Sequence, residues 1–227
     1  VAIATDENHH LYLMWEDFRN GIYWNLYAQK LDQEGSFFWK AGGLDVFAGV
    51  EENHQMPAMV PDGYGGLLFV YQKYSSETHG TDIYRGRLSP GGEVTFHFAT
   101  CFAGDEQLNP RIVKKGSKAL LCWEDRRNGN WDLYAQMIRL KDGLLEWGVN
   151  GVPVVKTVHD ERNPVVISSS SYGYQVFSWL RKEGNKFVIS VQKLDNLGEP
   201  AWDAAGRLVC SQSSDQTEPS ILADENG

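Results

Sequence analysis

Residues 15–43 read WEDFRNGIYWNLYAQKLDQEGSFFWKAGG, and residues 123–151 read WEDRRNGNWDLYAQMIRLKDGLLEWGVNG. The segments match in order and nearly in register, so the chain carries an internal repeat, and a repeat decides the fold before any local motif does. A third copy, WLRKEGNKFVISVQKLDNLGEPAWDAAG, begins at Trp179, and a degraded one, YQKYSSETHGTDIYRGRLSPGGEV, begins at Tyr71. The anchors Trp15, Tyr71, Trp123 and Trp179 stand 56, 52 and 56 residues apart, and Pro57, Pro110, Pro164 and Pro219 stand 53, 54 and 55 apart. Two unrelated columns therefore report one period.

Each copy reads as four short strands. The first follows the proline (PAMV, PRIV, PVVI, PSIL), and the second is a dense apolar run (LYLMW, LLFVY, ALLCW, QVFSW) that suits a strand covered on both faces. The third alternates, as in Asp132-Leu133-Tyr134-Ala135-Gln136, and Tyr27, Tyr84 and Tyr134 share one column. A tight turn follows, in which Gly35, Gly143 and Gly198 can supply positive φ. The fourth strand reads as short and weak, as expected of an outer edge. Four strands per unit, repeated radially, predict an all-β fold: a β-propeller with four visible four-stranded blades at 1–55, 56–108, 109–162 and 163–217. IATDEN at Ile3 resembles ILADEN at Ile221, so 218–227 reads as the first strand of a fifth repeat. The expectation is a four-blade portion of a larger propeller, with a self-closed four-blade ring as the alternative.

Composition removes several function classes. The 227 residues carry 21 Lys and Arg against 30 Asp and Glu, a net charge of −9, which argues against a nucleic-acid partner. No apolar run approaches the roughly 20 residues that span a bilayer. No signal peptide is read at the start, and Val1 is not expected to be the native first residue. Cys101, Cys122 and Cys210 lie in apolar strand-like runs without CxxC or metal-ligand spacing, so they read as buried free thiols. GxSxG, HExxH, a P-loop and GxGxxG are all missing, and the LDxxG turn lacks the leading Ser and the spacing of a sialidase Asp-box.

All eight tryptophans fall in three columns: Trp15, Trp123 and Trp179; Trp24 and Trp131; Trp39, Trp147 and Trp202. A residue present in every unit serves what every unit needs, so the first and third columns read as blade packing. Trp24 and Trp131 enter the third strand from a loop and are candidate ligand platforms, with Arg126 and Arg181 as further ligand-binding candidates. Asp17 with Arg19 and Asp125 with Arg127 read as a hairpin carboxylate that accepts turn amides and pairs with its own guanidinium. The segments before the prolines carry acid: Glu51 and Glu52, Asp105 and Glu106, Asp160 and Glu161, and Asp215. Together they form a possible acidic rim that could attract calcium, although no metal or catalytic residue is assigned and ordinary loop polarity explains them as well.

The pattern W-x-D-x-R-N-G…D-[IL]-Y-A-Q…L-D-x-x-G…W resembles the propeller repeats of large secreted or cell-surface bacterial proteins, distantly akin to TolB-like and sialidase-like propellers. The resemblance covers the whole chain, is strongest in copies one and three, and is weakest in copy two, where Gly86 replaces Gln29, Gln136 and Gln192. It implies extracellular display and a non-catalytic role, and it names no ligand. The expected function is a binding or scaffold module presenting one face to a protein or carbohydrate partner. The alternative is a catalytic propeller, a glycoside hydrolase or lyase, with its site at the central channel. The apolar first strands VAIA, PAMV, PRIV and PVVI, with Arg111 the main exception, favour binding over catalysis.

Overall fold

The computed structural model describes residues 1–77, 79–168, 173–210, 212 and 214–222. Among them every regular element is a strand. Sixteen strands form four antiparallel four-stranded meanders. Blade 1 holds β1 (Ala2–Thr5), β2 (Leu11–Asp17), β3 (Asn25–Leu31) and β4 (Leu44–Asp45); blade 2 holds β5 (Gln55–Pro61), β6 (Leu67–Ser75), β7 (Gly80–Leu88) and β8 (Val94–Cys101). Blade 3 holds β9 (Gln107–Lys115), β10 (Lys118–Asp125), β11 (Asp132–Arg139) and β12 (Val152–Val155); blade 4 holds β13 (Glu161–Ser168), β14 (Gln175–Glu183), β15 (Lys186–Leu194) and β16 (Arg207–Leu208). The first strands neighbour one another in the order β1, β5, β9, β13, which sets the blades radially around an axis as a β-propeller.

The cores lie between blades. One joins Tyr12, Met14 and Trp39 to Phe69 and Tyr71, a second joins Val70 and Ile83 to Leu121 and Trp123, and a third joins Cys122 and Trp147 to Phe177 and Trp179. Blades 2 and 3 are thus covered on both faces by their neighbours, and β3 and β11 are buried almost throughout instead of alternating as their sequence suggests. The third tryptophan column ties neighbours together: Trp39 Nε1 donates to Pro90 O at 3.0 Å and Trp147 Nε1 to Asn196 O at 3.2 Å, each across a seam. The turn glycines Gly92 and Gly198, both at positive φ, let these rings approach, since a Cβ there would stand 3.2 and 3.0 Å from the indoles. Trp202, last of the column, is half-buried and carries Lys193 and Arg207 over its ring.

Two other readings change. The first strands begin ahead of the prolines rather than after them, and β8 is a full eight-residue strand where β4, β12 and β16 have two to four. Residues 218–222 carry no strand, and the rest of the ILADEN segment, 223–227, lies outside the described residues. The cysteines are all free; Cys101 and Cys122 are buried and Cys210 half-buried. No described helix is long and apolar enough to cross a membrane.

Candidate functional site

Three inner strands, β5, β9 and β13, share a kink that the segment before Pro219 repeats in its φ alone. Met56, Asn109, Asn163 and Glu218, each directly before the repeat proline, have φ of 52, 55, 54 and 52°. Left-handed backbone before proline is strained, and it recurs because a bulge shifts the ladder there in β5, β9 and β13. The bulge turns an amide out of the sheet, and the preceding blade receives it. Met56 N donates to Glu16 Oε1 at 2.9 Å, Asn109 N to Gln72 Oε1 at 3.1 Å, and Asn163 N to Glu124 Oε1 at 2.8 Å. The Glu of W-E-D is therefore a clasp between blades. Sequence reasoning missed this role, although the signal was present: Glu16, Gln72 and Glu124 form a column of acceptors, broken only by Leu180.

These clasps ring the mouth of the axial channel. Glu124 is fully buried and also accepts from Asn109 Nδ2 at 2.9 Å and from Arg162 Nε at 2.8 Å, so it fixes an amide and a guanidinium beside the bulges. Arg162 reaches on over Trp131, its guanidinium carbon 4.1 Å from the ring centroid. Glu16 is half-buried and uses one oxygen for Met56; Asn163 and Glu218 are exposed. Below the mouth, a cavity of about 370 Å³ touches all four inner strands through Ile3, Ala58, Met59, Ile112 and Val166, with Arg111 its one charged wall residue. The apolar first strands line this lower channel, whereas polar groups sit at the earlier, unforeseen starts of the same strands.

The sequence-based candidates are dispersed. Trp24 is exposed and packs on Phe18, 5.0 Å between centroids. Trp131 takes Arg126 as well as Arg162 over its ring, and its amide donates to Asp160 Oδ1 at 3.1 Å. Arg181 is not at a ligand surface: it is buried, donating to Glu161 Oε1 at 3.1 Å and to Ala205 O. Glu161 is not on a rim. It is fully buried, accepts from Trp179 Nε1 and Thr157 Oγ1, and burial holds its carboxyl above the usual range. Blade 4 lacks the Asp that partners Trp15 and Trp123, so Glu161 takes its place.

The remaining acids are each engaged locally or exposed. Glu52 pairs with Lys73 at 2.8 Å, which lowers its pKa; Glu106 accepts the Thr81 amide, Asp105 accepts the Glu106 amide, and Glu51 is exposed. Among the described residues no three His, Cys, Asp or Glu side chains converge as metal ligands.

Asp17 and Asp125 each accept the indole N–H of their column tryptophan, at 3.0 and 2.8 Å, and pair with Arg19 and Arg127. Those guanidiniums lie 3.8 and 3.9 Å over Tyr27 and Tyr134. Hydrogen bonding to Arg19 holds the Asp17 carboxyl well below its ordinary range. The W-x-D-x-R unit is thus a structural cap on the blade.

No protein-family model matches the sequence. No curated protein matches it either. Solved structures do match. The GH93 α-L-arabinofuranosidase of Fusarium graminearum, in complex with arabinobiose, aligns over 94% of this chain and 66% of its own at 13% identity, with a TM-score of 0.61. Bacillus subtilis levansucrase aligns over 93% and 70% at 9% identity (TM-score 0.53), and the endo-arabinase of Bacteroides thetaiotaomicron over 92% and 80% at 15% identity (TM-score 0.52). The chain spans about two thirds of the arabinofuranosidase. At such identities the likeness establishes the β-propeller fold. It also overturns the expected non-catalytic role, because these neighbours are carbohydrate-active enzymes. The apolar first strands line the lower channel, and the polar groups lie at the earlier starts of the same strands.

Proposed function

We propose that this chain forms most of a carbohydrate-active β-propeller of glycoside hydrolase type, working at the mouth of the axial channel. The observation that carries this reading is the likeness, over more than nine tenths of the chain, to an arabinofuranosidase, a levansucrase and an endo-arabinase. The mouth supplies fitting groups: a carboxylate at Glu16, hydrogen-bond donors at Asn109, Asn163 and Arg162, and an aromatic face at Trp131. Glycoside hydrolysis needs one carboxyl to protonate the leaving oxygen and a second to act as base or nucleophile. Glu16, with one oxygen left over from its clasp, is our candidate for one of these roles. Buried Glu124 positions Asn109 and Arg162.

The same reading implies a polysaccharide substrate met outside the cell. The test is release of reducing ends from arabinan and other neutral polysaccharides. Turnover should fall by roughly 10²-fold or more in Glu16→Gln while the folded spectrum is kept. A folded wild-type protein that cleaves none of these polysaccharides overturns the reading.

A further inference from the structure

The seam between blades 1 and 2 is open where the equivalent place in blades 1 and 3 is closed. In those blades Arg19 and Arg127 fold back over the column tyrosine and donate to Gly42 O and Asn150 O, both at 3.0 Å, sealing the blade top. Register places Tyr71, Lys73 and Ser75 of blade 2 level with Trp123, Asp125 and Arg127, because Tyr71 pairs with Tyr84 as Trp123 pairs with Tyr134. Ser75 is too short to reach the tyrosine. Lys73 lies over Tyr84 instead, 4.8 Å from its centroid, and pairs with Glu52. The space an arginine would fill is a cleft of about 400 Å³, walled by Tyr23, Glu52, Lys73, Tyr74, Ser75 and Tyr84. Glu52 also borders a second, separate cavity of about 380 Å³ lined by Phe47, Phe96 and His97. Beneath it, His54 is fully buried with neither ring nitrogen hydrogen-bonded, its Nε2 3.9 Å from the Glu52 carboxylate.

We infer that this seam cleft is a second, off-axis carbohydrate site that takes a short neutral oligosaccharide. Tyr74 is 61% exposed and offers a face for stacking a sugar ring. The Glu52–Lys73 pair sets an acceptor and a donor 2.8 Å apart, a spacing that serves neighbouring sugar hydroxyls. Glu51, Glu52 and Glu77 outnumber Lys73 in the wall, and the whole chain carries −9, so an anionic saccharide is repelled. The ligand class rests on the carbohydrate reading above; the site does not overlap the axial mouth.

The test is a calorimetric titration of the full chain with arabinotriose, xylotriose, cellotriose and laminaritriose, with trigalacturonic acid and glucosamine trimer as charged controls. Wild type and Glu16→Gln should bind at least one neutral trimer alike. Tyr74→Ala and Ser75→Arg, the second copying blades 1 and 3, should weaken that binding about tenfold or more while leaving polysaccharide turnover and the melting temperature unchanged. Binding that survives both variants overturns the inference, as does binding lost in Glu16→Gln or confined to the charged trimers, or none to any trimer. Tyr74-dependent binding without turnover leaves this site standing and removes the hydrolase reading; turnover without Tyr74-dependent binding does the reverse.

Discussion

Blade 3 and blade 2 solve one packing problem with different residues. In blade 3 Trp123 is fully buried, its indole N–H donates to Asp125, and Gly151 at φ 77° lets the ring lie flat, since a Cβ there would meet it at 2.4 Å. Gln136 then clamps the outer segment, donating to Gly148 O and accepting from Trp147 N, both at 2.9 Å. Blade 2 has Tyr71 in place of tryptophan, and the gap left by the smaller ring is shared by Phe47, His54 and His97. The Phe69 ring covers the position of the Gln column, which is why Gly86 stands there: a Cβ would meet that ring at 2.4 Å. Without the glutamine clamp, β8 pairs with β7 over most of its length, through two register shifts. A repeat can therefore lose its signature and keep its blade, provided that the volume is refilled.

The largest expected effect breaks blade 3. Trp123→Ala should cost about 3–5 kcal/mol, read from denaturant unfolding, because a buried indole, its hydrogen bond and a close-packed glycine go together. A loss below about 1 kcal/mol would show that the column is not core.

Next comes pH, through the histidine just ahead of β5, at the seam of blades 1 and 2. Burial, with Lys73 nearby, pulls the His54 pKa down to about 4. Unfolded, the group titrates near its ordinary 6.5, so below that pH the unfolded chain binds the proton that the folded chain refuses. Stability should be full above about pH 6.5 and fall on acidification towards pH 4, by up to about 3 kcal/mol from this group. Glu52, Lys73, His97 and Tyr71 are the other charged or titratable groups facing it. His54→Phe should flatten that part of the stability curve, and an unchanged slope would exclude His54 as its source.

A smaller effect tests the refilling itself. Gly86→Ala should destabilise by about 1–3 kcal/mol, since Phe69 must move off its rotamer to admit a methyl group. Combining it with Phe69→Leu should restore part of the loss in the same unfolding assay, and strict additivity would contradict direct contact between the two positions.

The contrast also explains what the sequence could reveal. Blade number, the tryptophan columns and the W-x-D-x-R cap were legible because packing repeats them at one spacing, the cap in blades 1 and 3. The mouth was not. It is built from single polar residues that the repeat places at one height, Glu16, Gln72 and Glu124, and their convergence depends on bulges that carry no composition signal of their own. Glu161 misled for a related reason: an acid shortly before a proline read as a solvated rim, yet here it takes the place of a missing aspartate under Trp179, and Arg181, a candidate for ligand binding, is its buried partner.

The smallest effect belongs to Lys73, and its smallness is informative. Level with it in blade 3, Asp125 is fully buried and holds both Trp123 and Arg127, so removing that carboxylate strands two donors. Lys73 pairs with a Glu52 side chain that is 49% exposed, where water can take over when the partner leaves. Lys73→Met should therefore change stability by less than about 1 kcal/mol, against about 3–5 kcal/mol for Asp125→Ala in the same denaturation assay. The two positions share one place in the ladder, yet only one of them carries its blade. Equal losses would mean that the seam cleft is a packed joint, and a cleft free to admit a ligand requires the inequality.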